Sequence, residues 1–126
     1  VLGVPKFKSK CELVFEETRM PVHIWVEAEI RRLASEGYGV YVAARGDKTG
    51  GIVLQKISNL QGQCRLLIQQ RELNGKLGWV DALGVEIADE KQADSYIHRA
   101  TERDPDLWVI EIEDRSMTAV MQAGNL

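Results

Sequence analysis

The stretch Asp104-Pro105-Asp106-Leu107-Trp108-Val109-Ile110-Glu111-Ile112-Glu113-Asp114-Arg115 constrains the fold more than any other part of this chain. Successive side chains on a strand point to opposite faces, so Trp108, Ile110 and Ile112 share one face while Leu107, Val109, Glu111 and Glu113 share the other. The first face is apolar throughout; the second turns acidic toward its end. Such a strand is covered on both faces over its first half and meets water in its second, which places it inside a sheet and away from an edge. Pro105 fixes its own φ and disfavours the helical region for Asp104, so a preceding helix stops near Arg103.

The other elements follow from periodicity. Val22, Val26, Ile30 and Leu33 recur at helical spacing, with Trp25 and Ala28 widening the stripe, and predict an amphipathic helix over 22–36. Pro21 suits its first turn, and Gly37 suits a left-handed cap at its end. Three stretches of β character follow at 38–44, 52–57 and 63–69, joined by polar links at 45–51 and 58–62. Links of that length most simply make antiparallel hairpins. Asn74-Gly75 marks a further tight turn into a weaker strand at 76–80. Asp89 is the expected N-cap of a second helix whose buried side carries Ala93, Tyr96, Ile97 and Ala100.

Strands grouped between two helices predict an α+β two-layer sandwich, with one mostly antiparallel sheet of about five strands and both helices on one face. Residues 1–20 are expected to form a lead-in with at most one short strand at 11–15. Residues 21–115 are expected to form a single domain, and 116–126 a C-terminal tail.

Composition narrows the function. A chain of 126 residues can bury a single core without staples. Its net charge of -3 is the wrong sign for a general nucleic-acid binder, and Lys6, Lys8 and Lys10 read as a solvated lead-in. Cys11 and Cys64 lack metal or redox spacing and read as small hydrophobes in a reducing compartment. There is no export pattern, and no apolar run approaches the ~20 residues of a membrane span. The expectation is a cytoplasmic protein that binds neither nucleic acid nor membrane.

The acidic set Asp104, Asp106, Glu111, Glu113 and Asp114 is the main candidate for chemistry. Glu111 and Glu113 lie on one side of the strand about 6.5–7 Å apart, and hard oxygen ligands suit Mg²⁺ or Ca²⁺. Against this, Leu107 and Trp108 follow Asp106 directly, where a calcium loop would continue its acidic ladder. The bland reading is a helix end and the solvent face of a strand. Gly46-Asp47-Lys48-Thr49-Gly50-Gly51 has the residue types of a phosphate loop in the wrong order, because Lys48 and Thr49 precede the glycines and a strand follows; it reads as a hairpin turn. His98 shares a helix face with Asp94 and Glu102, an arrangement that can tune a base but more simply forms an exposed charge ladder. Trp25 and Trp108 read as core, and Trp79 as the most exposed of the three tryptophans. No nucleophile elbow, zinc-protease pattern or Cys/His cluster is present.

Ile24-Trp25-Val26-Glu27-Ala28-Glu29-Ile30-Arg31-Arg32, the glycine-bearing stretch after it, Ala93-Asp94-Ser95-Tyr96-Ile97 and the run from Asp104 to Arg115 resemble an alphaproteobacterial family classified only as a domain of unknown function. The likeness covers about residues 22–115. It implies a bacterial cytosolic α+β protein and supplies no activity, cofactor or catalytic residue. The sequence therefore predicts a small non-catalytic domain acting through protein or small-ligand contacts, with no cofactor. The alternative is a metal-assisted hydrolase using the acidic cluster at 104–114, and a third reading is a self-associating subunit.

Overall fold

The structure, a computed structural model, describes residues 20–122. Helix α1 spans Val22–Ser35 and buries Val22, Trp25, Val26 and Leu33, the stripe expected from the sequence. Pro21 is its N-cap, one position before the first turn, and Gly37 follows its end at φ +97°. Strands β1 (Gly39–Ala44), β2 (Val53–Ser58), β3 (Gln63–Arg71) and β4 (Leu77–Asp81) come next. A two-residue strand β5 (Ala88–Asp89) leads directly into helix α2 (Glu90–Arg103), and β6 (Trp108–Glu113) closes the series. Asp89 caps α2 as expected, accepting from the Lys91 and Gln92 backbone N–H groups.

Among the described residues the fold is α+β with a mixed, open sheet of six strands in the order β1-β6-β2-β3-β4, β5 pairing with the start of β3. β6 lies between β1 and β2, inside the sheet as its apolar faces require. It runs antiparallel to β1 and parallel to β2. Two expectations are corrected here. The link 45–51 is not a hairpin turn, because β6 occupies the place between β1 and β2 that a hairpin would close. Nor do both helices share one face.

Trp108, Ile110 and Ile112 pack with Val53, Ile57 and α1 on one side, whereas Val109 packs with Leu54, Leu66 and α2 on the other. The parallel pair explains both corrections. A parallel connection needs a long crossover, supplied here by everything from β3 to α2, and a parallel pair sits in a sheet covered on both faces. The architecture is helix, sheet, helix.

Residues 116–122, expected to be part of a tail, return across the α1 face, and Ala119 and Met121 are buried in that core. Asp114 starts the return by accepting from the backbone N–H groups of Ser116, Thr118 and Ala119. The fully buried Gln55 side chain then exchanges two hydrogen bonds with the Met121 backbone, and Glu29 accepts from Gln122 N–H. Burial pushes the Asp114 carboxyl up, but the bonds to Ala119, Ser116 and Thr118 outweigh it and hold it below the usual carboxylate range.

Asp114→Ala is expected to lower stability by about 1–2 kcal/mol, the size of a lost cap. A depressed carboxyl contributes stability above its unfolded pKa and loses it as pH falls through the folded value. The difference between wild type and variant in urea melts is therefore full at neutral pH and shrinks below about pH 4.

Candidate functional site

The acidic set is contiguous in sequence and divided in space. Asp104 and Asp106 precede β6, where Asp104 Oδ1 accepts from the Asp106 N–H at 3.0 Å and closes the corner. Glu111 and Glu113 lie toward the opposite end of the strand. Glu113 Oε1 sits beside Gly39 and accepts from the Tyr41 hydroxyl at 3.4 Å. Glu111 faces Lys56. Among the described residues no group of three or more His, Cys, Asp or Glu side chains is placed to hold a metal ion.

Lys56 gathers three carboxylates from two other elements. Its side chain is 5% exposed, and its ammonium donates at 2.8 Å to both Glu90 Oε2 and Asp94 Oδ1, with Glu111 Oε2 at 3.7 Å. Burial works against the charged ammonium, but the bonds to Asp94 and Glu90 and the field of Glu111 win, so its pKa is raised. β2, β6 and the first two turns of α2 are thereby fastened together. The one sequence signal for this hub was a lysine, beside a glutamine, inside an otherwise apolar strand. Cys64 lies on the same face, fully buried, and burial pushes its thiol up to about 11, the state of an inert structural cysteine.

Asp94, drawn to Lys56, leaves His98 with Glu102 alone, at 3.3 Å and largely exposed. His23 Nδ1 lies 3.0 Å from Lys48 O, its partner in the link between β1 and β2. Trp25 and Trp108 are core, and Trp79 is half-buried, stacked on Trp25 with ring centroids 6.4 Å apart. Cys11, Lys6, Lys8, Lys10 and the strand expected at 11–15 lie outside the described residues.

The link 45–52 is the most specific local structure in the chain. It crosses the start of β6 and grips the Asp104–Asp106 corner: Asp47 N–H donates to Asp106 O at 3.0 Å, and Trp108 N–H donates to Ile52 O at 2.8 Å. The Trp108 indole N–H donates to Asp47 O at 2.7 Å, while the Arg45 guanidinium lies 5.1 Å over the Trp108 ring. Gly46 and Gly51 both lie against the Asp106 carbonyl, where a side chain would collide with backbone. The tip is closed by Asp47, whose Oδ2 accepts from Gly50 N–H, Thr49 N–H and the Thr49 hydroxyl. Those bonds, Gly50 first, hold the Asp47 carboxyl below its ordinary range.

Held in this way, the link forms one wall of a cavity of about 330 Å³. Thr49, Gly50, Gly51 and Ile52 face Met20 and Val22 at the start of α1, and Gln69, Arg71 and Leu77 on β3 and β4. Gln69 and Arg71 share the α1 face of the sheet with Leu67, and Leu77 pairs with Arg71. Gln69 Oε1 accepts from Val53 N–H, which fixes it in place. The size falls at the lower end of the range for small-molecule sites, about 300–1,000 Å³, and the lining mixes apolar walls with a few polar groups, as such sites do. Residues from four separated stretches meet here, so no local motif announced it.

The fold and cavity define a small α+β domain with a recess of small-ligand size. More narrowly, the chain belongs to the family described as "Protein of unknown function (DUF1491)", whose model matches residues 20–122. It is similar to a DUF1491 family protein from Caulobacter crescentus, whose crystal structure shares 34% identity and a TM-score of 0.73, covering 84% of this chain and 97% of that one. The NMR structure of a DUF1491 family protein from the same organism matches at 34% identity and a TM-score of 0.69, covering 82% and 92%. Protein Atu0922 from A. tumefaciens shares the fold, with a TM-score of 0.62 at 22% identity over 86% of this chain and 98% of that one. A search of curated proteins returned no match.

Proposed function

We propose that this chain is a small non-catalytic domain that works by contact, holding a small ligand in the cavity between α1, the 45–52 link and β3–β4. The cavity's size and lining carry this reading. The metal-assisted hydrolase is disfavoured, because Glu111 is engaged by Lys56 while Asp104 and Asp106 lie beyond the other end of β6. A net charge of -3 supports a partner other than nucleic acid. No helix among the described residues is long and apolar enough to cross a membrane. We place the protein in the bacterial cytoplasm, in an alphaproteobacterial lineage with the Asp104–Arg115 run as its signature, and take residues 21–122 as one domain.

A thermal-shift screen of metabolites and of Mg²⁺, Mn²⁺ and Ca²⁺ tests this reading. A ligand at a hundred times its dissociation constant adds about 2.7 kcal/mol to stability. An organic ligand is expected to raise the melting temperature of the wild type and not of Ile52→Trp, which fills the cavity from a half-exposed position. A metal-dependent shift abolished by Glu111→Gln would overturn it in favour of the hydrolase.

A second contact is favoured by β1, which ends the sheet among the described residues, with Tyr41 and Val42 exposed and no charged residue from Gly39 to Ala44. Uncharged edges are open to strand addition, so the partner there is a second copy of the chain. Light scattering at tens of micromolar showing only a monomer would remove that reading.

A further inference from the structure

We infer that β4 is a flap on the cavity: it parts from β3 and α1 by local opening, and a ligand in the cavity holds it shut. The clamp deepens the binding reading above and rests on it, whereas the opening stands on β4 alone. Leu77, the first residue of β4, is a wall of the cavity. Among the described residues β4 is an end strand that pairs with β3 alone, and none of its five residues is fully buried. Segments with few buried contacts open at a fraction of the cost of global unfolding. Gly78 gives the strand no side chain to pack, which weakens its interior. The 72–76 turn before it closes on itself, Glu72 N–H donating to Lys76 O and Gly75 N–H to Glu72 O. Beyond it, Ala82 N–H donates to Leu66 O, and Ala82 and Leu83 pack with the α2-side core. The free end of the flap therefore lies at the cavity and its hinge at 82–83.

The closed flap is weakened by three polar atoms. Among the described residues Trp79 Nε1, Asp81 Oδ1 and Arg65 Nε are buried without a hydrogen-bond partner. They are neighbours on the α1 face: Trp79 and Asp81 lie two apart on β4, Asp81 pairs with Leu67, and Arg65 is diagonal to it on β3. Buried polar groups are otherwise almost always satisfied. Shutting the flap leaves two donors and one acceptor dry, and parting β4 from β3 and α1 returns them to water, so each lowers the cost of opening. The Trp25–Trp79 stack opposes them and holds the flap closed.

The test is amide hydrogen exchange of the full chain, read residue by residue by NMR, alone and with benzyl alcohol or benzamide as neutral probes. The β4 amides bonded to β3 are expected to exchange about a hundredfold or more faster than those joining β2 to β6. Trp79→Phe keeps a ring against Trp25 and drops the N–H; Asp81→Leu drops the acceptor. Each is expected to slow β4 exchange about tenfold, the worth of one desolvated group. A probe at ten times its dissociation constant is expected to slow β4 exchange about tenfold again. β4 amides as slow as those between β2 and β6, or faster β4 exchange in both variants, overturn the flap. β4 exchange unchanged by a probe that shifts the amides of Thr49 to Ile52 overturns the clamp and leaves the cavity as a binding site. Absence of saturable binding by either probe overturns the clamp and the cavity reading together, and the exchange of the chain alone still decides the opening.

Discussion

Lys56→Met is expected to destabilise the fold by about 2–4 kcal/mol, seen as a lower urea midpoint. Methionine matches the stem of the lysine, so little packing is lost. What is lost is the ammonium that answers three carboxylates on two other elements, Glu90 and Asp94 of α2 and Glu111 of β6. Removing one partner of a sealed ion pair costs about 3–5 kcal/mol, because the remaining charge is stranded. Here Glu111 is 32% exposed and Asp94 59%, so water answers part of the stranded charge and the loss shifts toward the lower end of that range.

The partners rank by exposure. Asp94→Asn is expected to cost under about 1 kcal/mol, as an exposed pair does, and Glu111→Leu in the Lys56→Met background to recover stability. The pH dependence follows from the raised lysine pKa. Stabilisation from a group whose pKa is raised by folding is complete below the unfolded value, about 10.4, and is lost only as pH climbs through the folded one. The gap between wild type and Lys56→Met is therefore flat from neutral pH to mildly alkaline pH.

Gly46→Ala is expected to cost about 3 kcal/mol and to impair ligand binding together with stability. Its added Cβ would overlap the Asp106 carbonyl and crowd the backbone carbons of Asp106 and Leu107. Backbone at a proline corner inside a sheet cannot yield as a side chain would. The link must lift instead, which breaks the Asp47–Asp106 hydrogen bond and moves Thr49 to Ile52, the cavity wall. Gly51→Ala meets the same carbonyl and is expected to behave alike. Gly50→Ala is the control, since its nearest neighbour would be Asp47 Oδ2 at 3.9 Å, and it is expected to fold as wild type does. Urea melts of the three variants, with ligand titration beside them, separate a packing defect from a local loss of the site.

The glycines show where the sequence stopped being readable. Gly46-Asp47-Lys48-Thr49-Gly50-Gly51 announces a turn by composition, and a hairpin is the simplest turn for two strands with a link of that length. Nothing local says that β6, more than fifty residues later, enters between them. That placement was implicit in β6 itself. A strand apolar on both faces must be flanked and covered, and Trp108 to Ile112 made this plain. Covering both faces of such a strand in turn calls for a helix on each.

The helices, Asp89 as a cap and most strand bounds came from periodicity, which is local. Lys56, Gln55 and the cavity depend on partners brought in by topology, so their sequence signal was only a polar pair in an apolar strand. The acidic run shows the opposite case. Its residues are neighbours along the chain but are divided between a corner and the far end of a strand.

Amide chemical-shift mapping on the full chain tests most directly whether the cavity is where the protein meets its ligand. Titration with a fragment library and with Mg²⁺ is predicted to move the amides of Thr49 to Ile52, Gln69, Arg71 and Leu77 with fragments, and to leave β6 unmoved by metal. Shifts gathered instead at Asp104, Asp106, Glu111 and Glu113 on adding Mg²⁺, with the cavity amides silent to every fragment, would contradict it.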